Sequence, residues 1–420
     1  MSTTDEAKSR FSNPFIALKH KNFRYYWIGM CVSLIGTWMQ NIAQPWLAYT
    51  LTNSPFLLSL IGILQFTPML LLALLAGVVV DKFPKKKILI FTQSASLVIT
   101  LILAILVWTG KIQYWHILLM ATALGIVNTI DMPSRQALVI ELVGKEDLMN
   151  GIALNSMAFN LARIIGPAVA GLVMGYVGLA ACFFINSISF AAVLASLYLI
   201  KLKPAVIKSQ NNSNVWEEIK DGLTYIYHND SLLYTIIILT IVGTFAPNFN
   251  VLVPVFAKDV LHQNEAGFGI LMSFLGAGSF LGAMFIATLS KSGPKKFIIY
   301  GVPFIIAMAL IITGYIDVYL LTGLSLAVTG FFFIMFTSSA NSTLQLNSSN
   351  EYRGRVMSVY TLVFAGTTPF GNFYAGLFAE HFNARVGFAA CGMIIIVLMI
   401  LLYVCIWGKR LFLPERFNRQ

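Results

Sequence analysis

Long apolar runs broken by short polar stretches occupy the chain from residue 25 onward. Read as helices, they predict twelve spans. Six cover residues 25–51, 55–80, 87–109, 114–141, 149–175 and 179–200. Six more cover 232–256, 266–290, 296–315, 318–341, 355–379 and 386–408. Each is near or above the roughly 20 residues that cross a bilayer core. The alternation of apolar and polar positions expected of a membrane barrel is absent. The predicted fold is an all-α membrane protein: a polar segment 1–24, a six-helix bundle 25–200, a linker 201–230, a second six-helix bundle 231–408 and a tail 409–420.

Composition agrees. The chain is 58% hydrophobic and 11% charged, against about 25% charged in soluble domains. The 28 Lys and Arg residues sort by side. Lys111, Lys258 and Arg385 fall on one face, Arg163 falls inside a span, and the remainder fall on the face that holds both termini. This asymmetry predicts a cytoplasmic location for the termini. It also accounts for the net charge of +11 without nucleic acid. The basic N-terminal stretch does not read as a cleavable signal peptide. The four cysteines fall inside spans and the five histidines are scattered, so neither metal nor cofactor is expected.

The halves echo each other. "GIL" at 62–64 recurs at 269–271, "PKKKILI" at 84–90 returns as "PKKFIIY" at 294–300, and Gly151 matches Gly354. This predicts a parallel repeat, with substrate bound near the midplane between the halves. In the linker, Trp216, Ile219, Leu223 and Ile226 are spaced for one helix face, and Asn214 with Glu217 reads as a capping box. A short helix on the cytoplasmic membrane surface is expected, either as a tether or as a regulatory element.

On these residues the chain resembles the major facilitator superfamily. The loop after the second span keeps the frame of the family's Gly-x-x-x-Asp-Arg-x-Gly-Arg-Lys motif through Gly77, Asp81, Lys82, Pro84, Lys85 and Lys86. Lysine cannot make arginine's flat two-point pair with a carboxylate, which implies a looser latch. Ala162, Gly166, Pro167, Ala170 and Gly171 resemble the family's antiporter motif, with two glycines replaced by alanine. "MNGIALNSMAFNLARIIGPAVAGLV" and "GTWMQNIAQPWLAYTLT" resemble its enterobactin-exporter and macrolide-efflux branch. The proline kinks its helix. Small residues at 162, 166 and 170 share a face that lets a neighbour approach closely.

Arg163 lies about 14 residues into its helix, roughly 21 Å along it. Facing lipid there costs at least about 2.5 kcal/mol, so a partner or a wet cavity is expected. Ser156 and Asn160 share its stripe. Asp131 is the acidic residue that falls clearly inside a span. Its partner is expected to be Lys85, as the family's charge relay implies, or Arg163; a structural cap near Met132 and Pro133 is the third reading. Thr37, Gln40 and Gln44, with Trp38, mark one face of the first span. Thr361, Thr368 and Asn372 mark another in the second half. Each stripe reads equally as cavity lining or as hydrogen bonding between helices.

No phosphate-binding loop is present, so the energy is expected from an ion gradient, with Asp131 as the first candidate for the titratable carrier and Glu141 or Asp81 as the alternatives. The expected activity is secondary, proton-coupled antiport of a small amphipathic molecule: a drug, a macrolide-like compound or a siderophore. The midplane arginine disfavours a cationic substrate and points to neutral or anionic compounds. The alternatives are a nutrient importer on the same fold, a membrane-embedded enzyme, or a sensor. A monomer in the bacterial cytoplasmic membrane is expected.

Overall fold

The computed structural model of the chain describes residues 15–201, 215–289, 295–349 and 351–412. Among these residues every regular element is helical. A 3₁₀ turn (Ile16–Lys19) leads into α1 (Lys21–Thr52), α2 (Pro55–Lys82), α3 (Lys85–Trp108), α4 (Tyr114–Val143), α5 (Leu148–Tyr176) and α6 (Leu179–Leu199). The second half holds α7 (Val215–Tyr227), α8 (Asp230–Phe245), α9 (Phe249–Val255), a π turn (Phe256–Val260) and α10 (Glu265–Leu289). It continues through α11 (Lys296–Tyr300), α12 (Val302–Tyr315), α13 (Tyr319–Leu346), α14 (Arg353–Gly366), α15 (Thr368–His381) and α16 (Ala384–Phe412).

Among the described residues, ten stretches are long and apolar enough to cross a membrane. α1 and the α14–α15 pair are not among them. Gln40, Asn41 and Gln44 dilute the apolar character of α1. The run expected as one helix over 355–379 is divided at Thr367, because Pro369 opens α15 and withholds its N–H. Pro247 likewise ends α8 at Phe245 before α9 restarts. The two breaks abut: a Cβ on Gly371 would lie 2.8 Å from Asn248 Oδ1.

Within the first half, α1 lies on α5 and α6, α2 on α4, and α3 on α4 and α6. In the second half, α10 lies on α13, and α12 on α13 and α16. The two most extensive crossings between the halves are α5 with α10 and α2 with α15, and α1 and α2 also meet α9, α10 and α14 at smaller contacts. Glycine lines both crossings. A Cβ on Gly269 would lie 2.5 Å from Gly171 Cα and 2.8 Å from Pro167 O; one on Gly62 would lie 2.2 Å from Asn372 Nδ2. Gly62 and Gly269 are the glycines of the two repeated "GIL" triplets.

The polar loops gather at one end, called the basic end below. There Lys86 Nζ donates to Ile200 O at 2.7 Å and Asn22 Nδ2 to Lys201 O at 2.9 Å. Lys19 and His20 reach Asp147 at 2.8 and 2.7 Å. Hydrogen bonds from Lys19 and His20 hold the Asp147 carboxyl below its usual range.

The expected linker helix forms as α7, but it docks on the second half. Tyr225 stacks on Tyr352 at 4.3 Å, its hydroxyl accepts from Ser349 N at 3.1 Å, and Asp221 meets Arg355 at 3.4 Å. Ile226 is buried against α8 and α14, whereas Leu223 and Tyr227 stay exposed. The proposed cap residue Asn214 lies outside the described residues.

Candidate functional site

Asp131 sits in the core of the first half, 4% exposed. Its Oδ2 accepts from Arg135 Nε, one helical turn on. Its Oδ1 accepts from Thr92 Oγ1 at 2.6 Å and Gln93 Nε2 at 2.8 Å on α3. Tyr26 of α1 is fully buried beside the pair. The partner is therefore neither Lys85 nor Arg163. Lys85 stands near Glu141 instead, toward the end of α4. Charge sorting counts Arg135 with the basic residues of the cytoplasmic side, although it falls within the expected span 114–141; in the structure it lies inside α4 and turns its guanidinium onto the buried carboxylate. The i, i+4 spacing of Asp131 and Arg135 was the signal that could have found it.

Arg163 lies elsewhere. α5 presents two exposed strips on opposite sides. Leu161, Ile165 and Leu172 form an apolar strip. Ile152, Ser156 and Phe159 form the other, with half-buried Asn160 and Arg163 beside them. This second strip runs between the α5 positions that touch α1 and those that touch α10. Toward α1, a Cβ on Gly166 would lie 2.4 Å from Trp38 Cβ. Toward α10, a Cβ on Gly276 would lie 2.6 Å from Arg163 O. The Arg163 guanidinium stands 5.8 Å from the Trp38 ring, and Phe159 meets that ring edge-on at 5.5 Å. The small-residue face thus splits: Gly166 serves packing within the first half, and Gly171 serves the crossing between halves.

The polar stripes divide in the same way. Gln40 turns into the first half, where its Oε1 accepts from Asn186 at 2.6 Å and Thr100 at 3.3 Å, and its Nε2 donates to Gln44 at 3.3 Å. It ties α1 to α3 and α6 and does not line a cavity. Gln44 is buried beside it, with Nε2 unpartnered. Thr37 and Trp38 remain half-buried. Asn160 Nδ2 donates to Ser156 O at 2.8 Å. Thr361 is exposed, its hydroxyl on Met357 O at 3.0 Å, and Thr368 is half-buried. Asn372 is 5% exposed and belongs to the α2–α15 crossing.

Sequence reading missed a cluster at the end opposite the basic loops. Asn53, left-handed at φ 49°, closes α1, and Ser54 with Pro55 starts α2, so the corner is encoded locally. The second half grips this corner. Tyr49 Oη donates to Asp259. Lys258 Nζ donates to Asn53 Oδ1 at 2.7 Å and lies 5.1 Å from the Tyr49 ring. Glu380 Oε2 accepts from Ser54 Oγ at 2.8 Å and Phe56 N at 3.1 Å. Trp46 stacks on Phe268 of α10 at 5.3 Å. Among the described residues, every side-chain hydrogen bond between the halves lies at this end. At the basic end, a Cβ on Gly77 would meet nothing within 4 Å, and Pro84 precedes α3 as its exposed N-cap. The Asp81 side chain lies outside the described residues.

The halves are thus gripped together at one end, called the sealed end below, and meet along two glycine-lined crossings. A family model described as transmembrane secretion effector matches residues 12–410. The chain belongs to that family, within the major facilitator superfamily. The chain is 24% identical over 382 residues to the staphyloferrin A transporter of Staphylococcus aureus, covering 90% of this chain and 95% of that one. It is 22% identical over 381 residues to macrolide efflux protein A of Streptococcus pyogenes, covering 90% and 94%. It is 22% identical over 371 residues to the multidrug efflux pump Tap of Mycolicibacterium fortuitum, covering 86% and 90%. Among solved structures it is similar to the nucleoside transporter NupG, with TM-score 0.69, 14% identity and coverage of 94% and 99%. It is also similar to a bacterial homologue of the human lysosomal transporter Spinster, with TM-score 0.71, 11% identity and coverage of 98% and 100%. The family and these relatives are transporters, not enzymes, and the chain is a membrane transporter.

Proposed function

We propose that this transporter exports a small amphipathic molecule from the cytoplasm by alternating access, as a proton-coupled antiporter and a monomer. α1 and the α14–α15 pair would complete twelve spans in two six-helix bundles. The basic end would face the cytoplasm, consistent with the clustering of Lys and Arg there. The observation that carries the reading is the placement of the bonds between halves, which gather at one end and leave the strip from Ile152 to Arg163 open toward the other. In this state substrate would enter from the cytoplasm. Export then requires the corner at Asn53 and Ser54 to part while the basic loops close.

Gly77, Asp81, Pro84 and Lys85 would form that inner closure. The half-open α5–α10 and α2–α15 crossings would act as the pivots. Asp131 would carry the coupling proton: proton binding would release Arg135 and loosen α4 from α3. Two of the named relatives carry efflux in their titles, of macrolides in one and of several drugs in the other, which supports the export reading. Everted membrane vesicles test the direction. With an outward-directed proton gradient imposed by acidifying the lumen, they should accumulate substrate through the wild-type protein. Uptake only by right-side-out vesicles would overturn the export reading.

A further inference from the structure

Three charges lie deep within the described spans: Asp131, Arg135 and Arg163. Asp131 and Arg135 neutralise each other. Arg163 has no such partner, since no described carboxylate lies within ion-pair reach of it. The contact it does make is to an aromatic face, the Trp38 ring at 5.8 Å. Phe159 stands edge-on to the same ring at 5.5 Å and 68°. Arg163 and Phe159 stand on the side of α5 opposite the Leu161–Leu172 strip, and Trp38 faces them from α1.

A cation held at this depth is favourable only when an anion or water supplies the missing partner. The aromatic contact orients the guanidinium without using its hydrogen-bonding fork. That leaves a planar, two-point donor free for a carboxylate or a similarly compact anion. Trp38 and Phe159 offer broad apolar surface beside it for a flat ring. The site also abuts the crossing, because the Arg163 carbonyl is where α10 approaches α5 through Gly276.

We infer that Arg163, Trp38 and Phe159 form a binding site for an organic anion whose acidic group is joined to a flat apolar ring system. The inference rests on the export reading for its physiological meaning, but the binding claim stands on these residues alone. Simple cationic amphiphiles are excluded from the site by charge. Arg163 grips the anion, and the two aromatic residues take the body of the molecule.

The test uses full-length protein in nanodiscs and three probes of one shape: naphthylacetate, naphthylacetamide and naphthylethylamine, followed by naphthyl fluorescence. A charge-assisted pair predicts that wild type binds the acetate at least about tenfold tighter than the amide, with the amine weakest. Arg163→Gln should bring the acetate-to-amide ratio to about one, because the charge-assisted pair is lost; monodisperse elution and an unchanged far-ultraviolet helix signal report an intact fold. Arg163→Lys should keep the preference for acetate at reduced affinity, and Trp38→Leu should weaken acetate and amide together. Absence of acetate binding, equal affinities in wild type, or a preference that survives Arg163→Gln each overturns the proposal. If Arg163→Gln does not fold, the wild-type series decides alone. No gradient enters this experiment, so acetate-selective binding with no uptake into everted vesicles would sink the export reading and leave the site standing.

Discussion

Replacing Asp131 with alanine strands the Arg135 guanidinium in the core of the first half. The two side chains are 6% and 20% exposed, and the carboxylate also satisfies Thr92 and Gln93. Breaking a buried pair from one side costs about 3–5 kcal/mol. The residual exposure of Arg135 puts the loss at the lower end of that range. Arg135→Met alone leaves the carboxylate with two neutral donors and should cost a similar amount. Asp131→Ala/Arg135→Met removes both charges, so the double mutant should recover about 2 kcal/mol relative to additivity. Reversible unfolding of the purified protein in mixed micelles, followed by tryptophan fluorescence, measures all four corners of the cycle. Asp131→Ala with Arg163→Ala should behave additively, since those side chains do not meet. Additivity within about 0.5 kcal/mol for the Asp131–Arg135 cycle would refute the reasoning.

The outer corner makes a second prediction: Glu380→Gln weakens two charge-assisted bonds at an exposed site and should shift the closed-to-open ratio there by about tenfold, read as faster alkylation of single cysteines behind the corner. Gly269→Leu should abolish transport while the protein folds, because α10 can no longer seat on Pro167 and Gly171. Gly166→Ala should instead cost about 1–3 kcal/mol of stability, since its methyl group would collide with Trp38 within the first half. Asp147→Asn should free the N-terminal segment and speed tryptic cleavage at Lys19 and Lys21. Because Asp147 is held below its usual range by Lys19 and His20, this tether should persist at neutral pH and be lost only as pH falls through that lowered value.

Helix type and approximate span positions were legible because apolar runs of membrane length have few other physical outcomes. The weak "GIL" echo marks two glycines, Gly62 and Gly269, at which helices of the two halves cross. Side-chain destinations were less so. Gln40 and Arg163 both interrupt apolar helices, yet one is consumed by Asn186 and Thr100 while the other keeps an open fork; the difference depends on which neighbour each helix face meets. Arg135 was hidden by its distance along the chain from the span centre, since a long side chain can reach inward from near a helix end. The grip of Asp259 and Glu380 on the α1–α2 corner joins residues more than two hundred positions apart, and no local pattern announces it. The breaks at Pro247 and Thr367 were available from proline placement but were masked by uninterrupted hydropathy.

The central claim is that the halves rock about two glycine-lined crossings, so that one end opens as the other closes. Spin labels at Lys145 and Glu351 on the basic end, and at Gln113 and Val318 on the sealed end, report both ends in nanodiscs by electron–electron distance measurement. Without substrate, the sealed-end pair should give one short distance and the basic-end pair a longer one. Under substrate and acid pH the two distributions should move in opposite directions, and Glu380→Gln should move them the same way without substrate. Distances that change together at both ends, or at neither, would contradict alternating access in this protein.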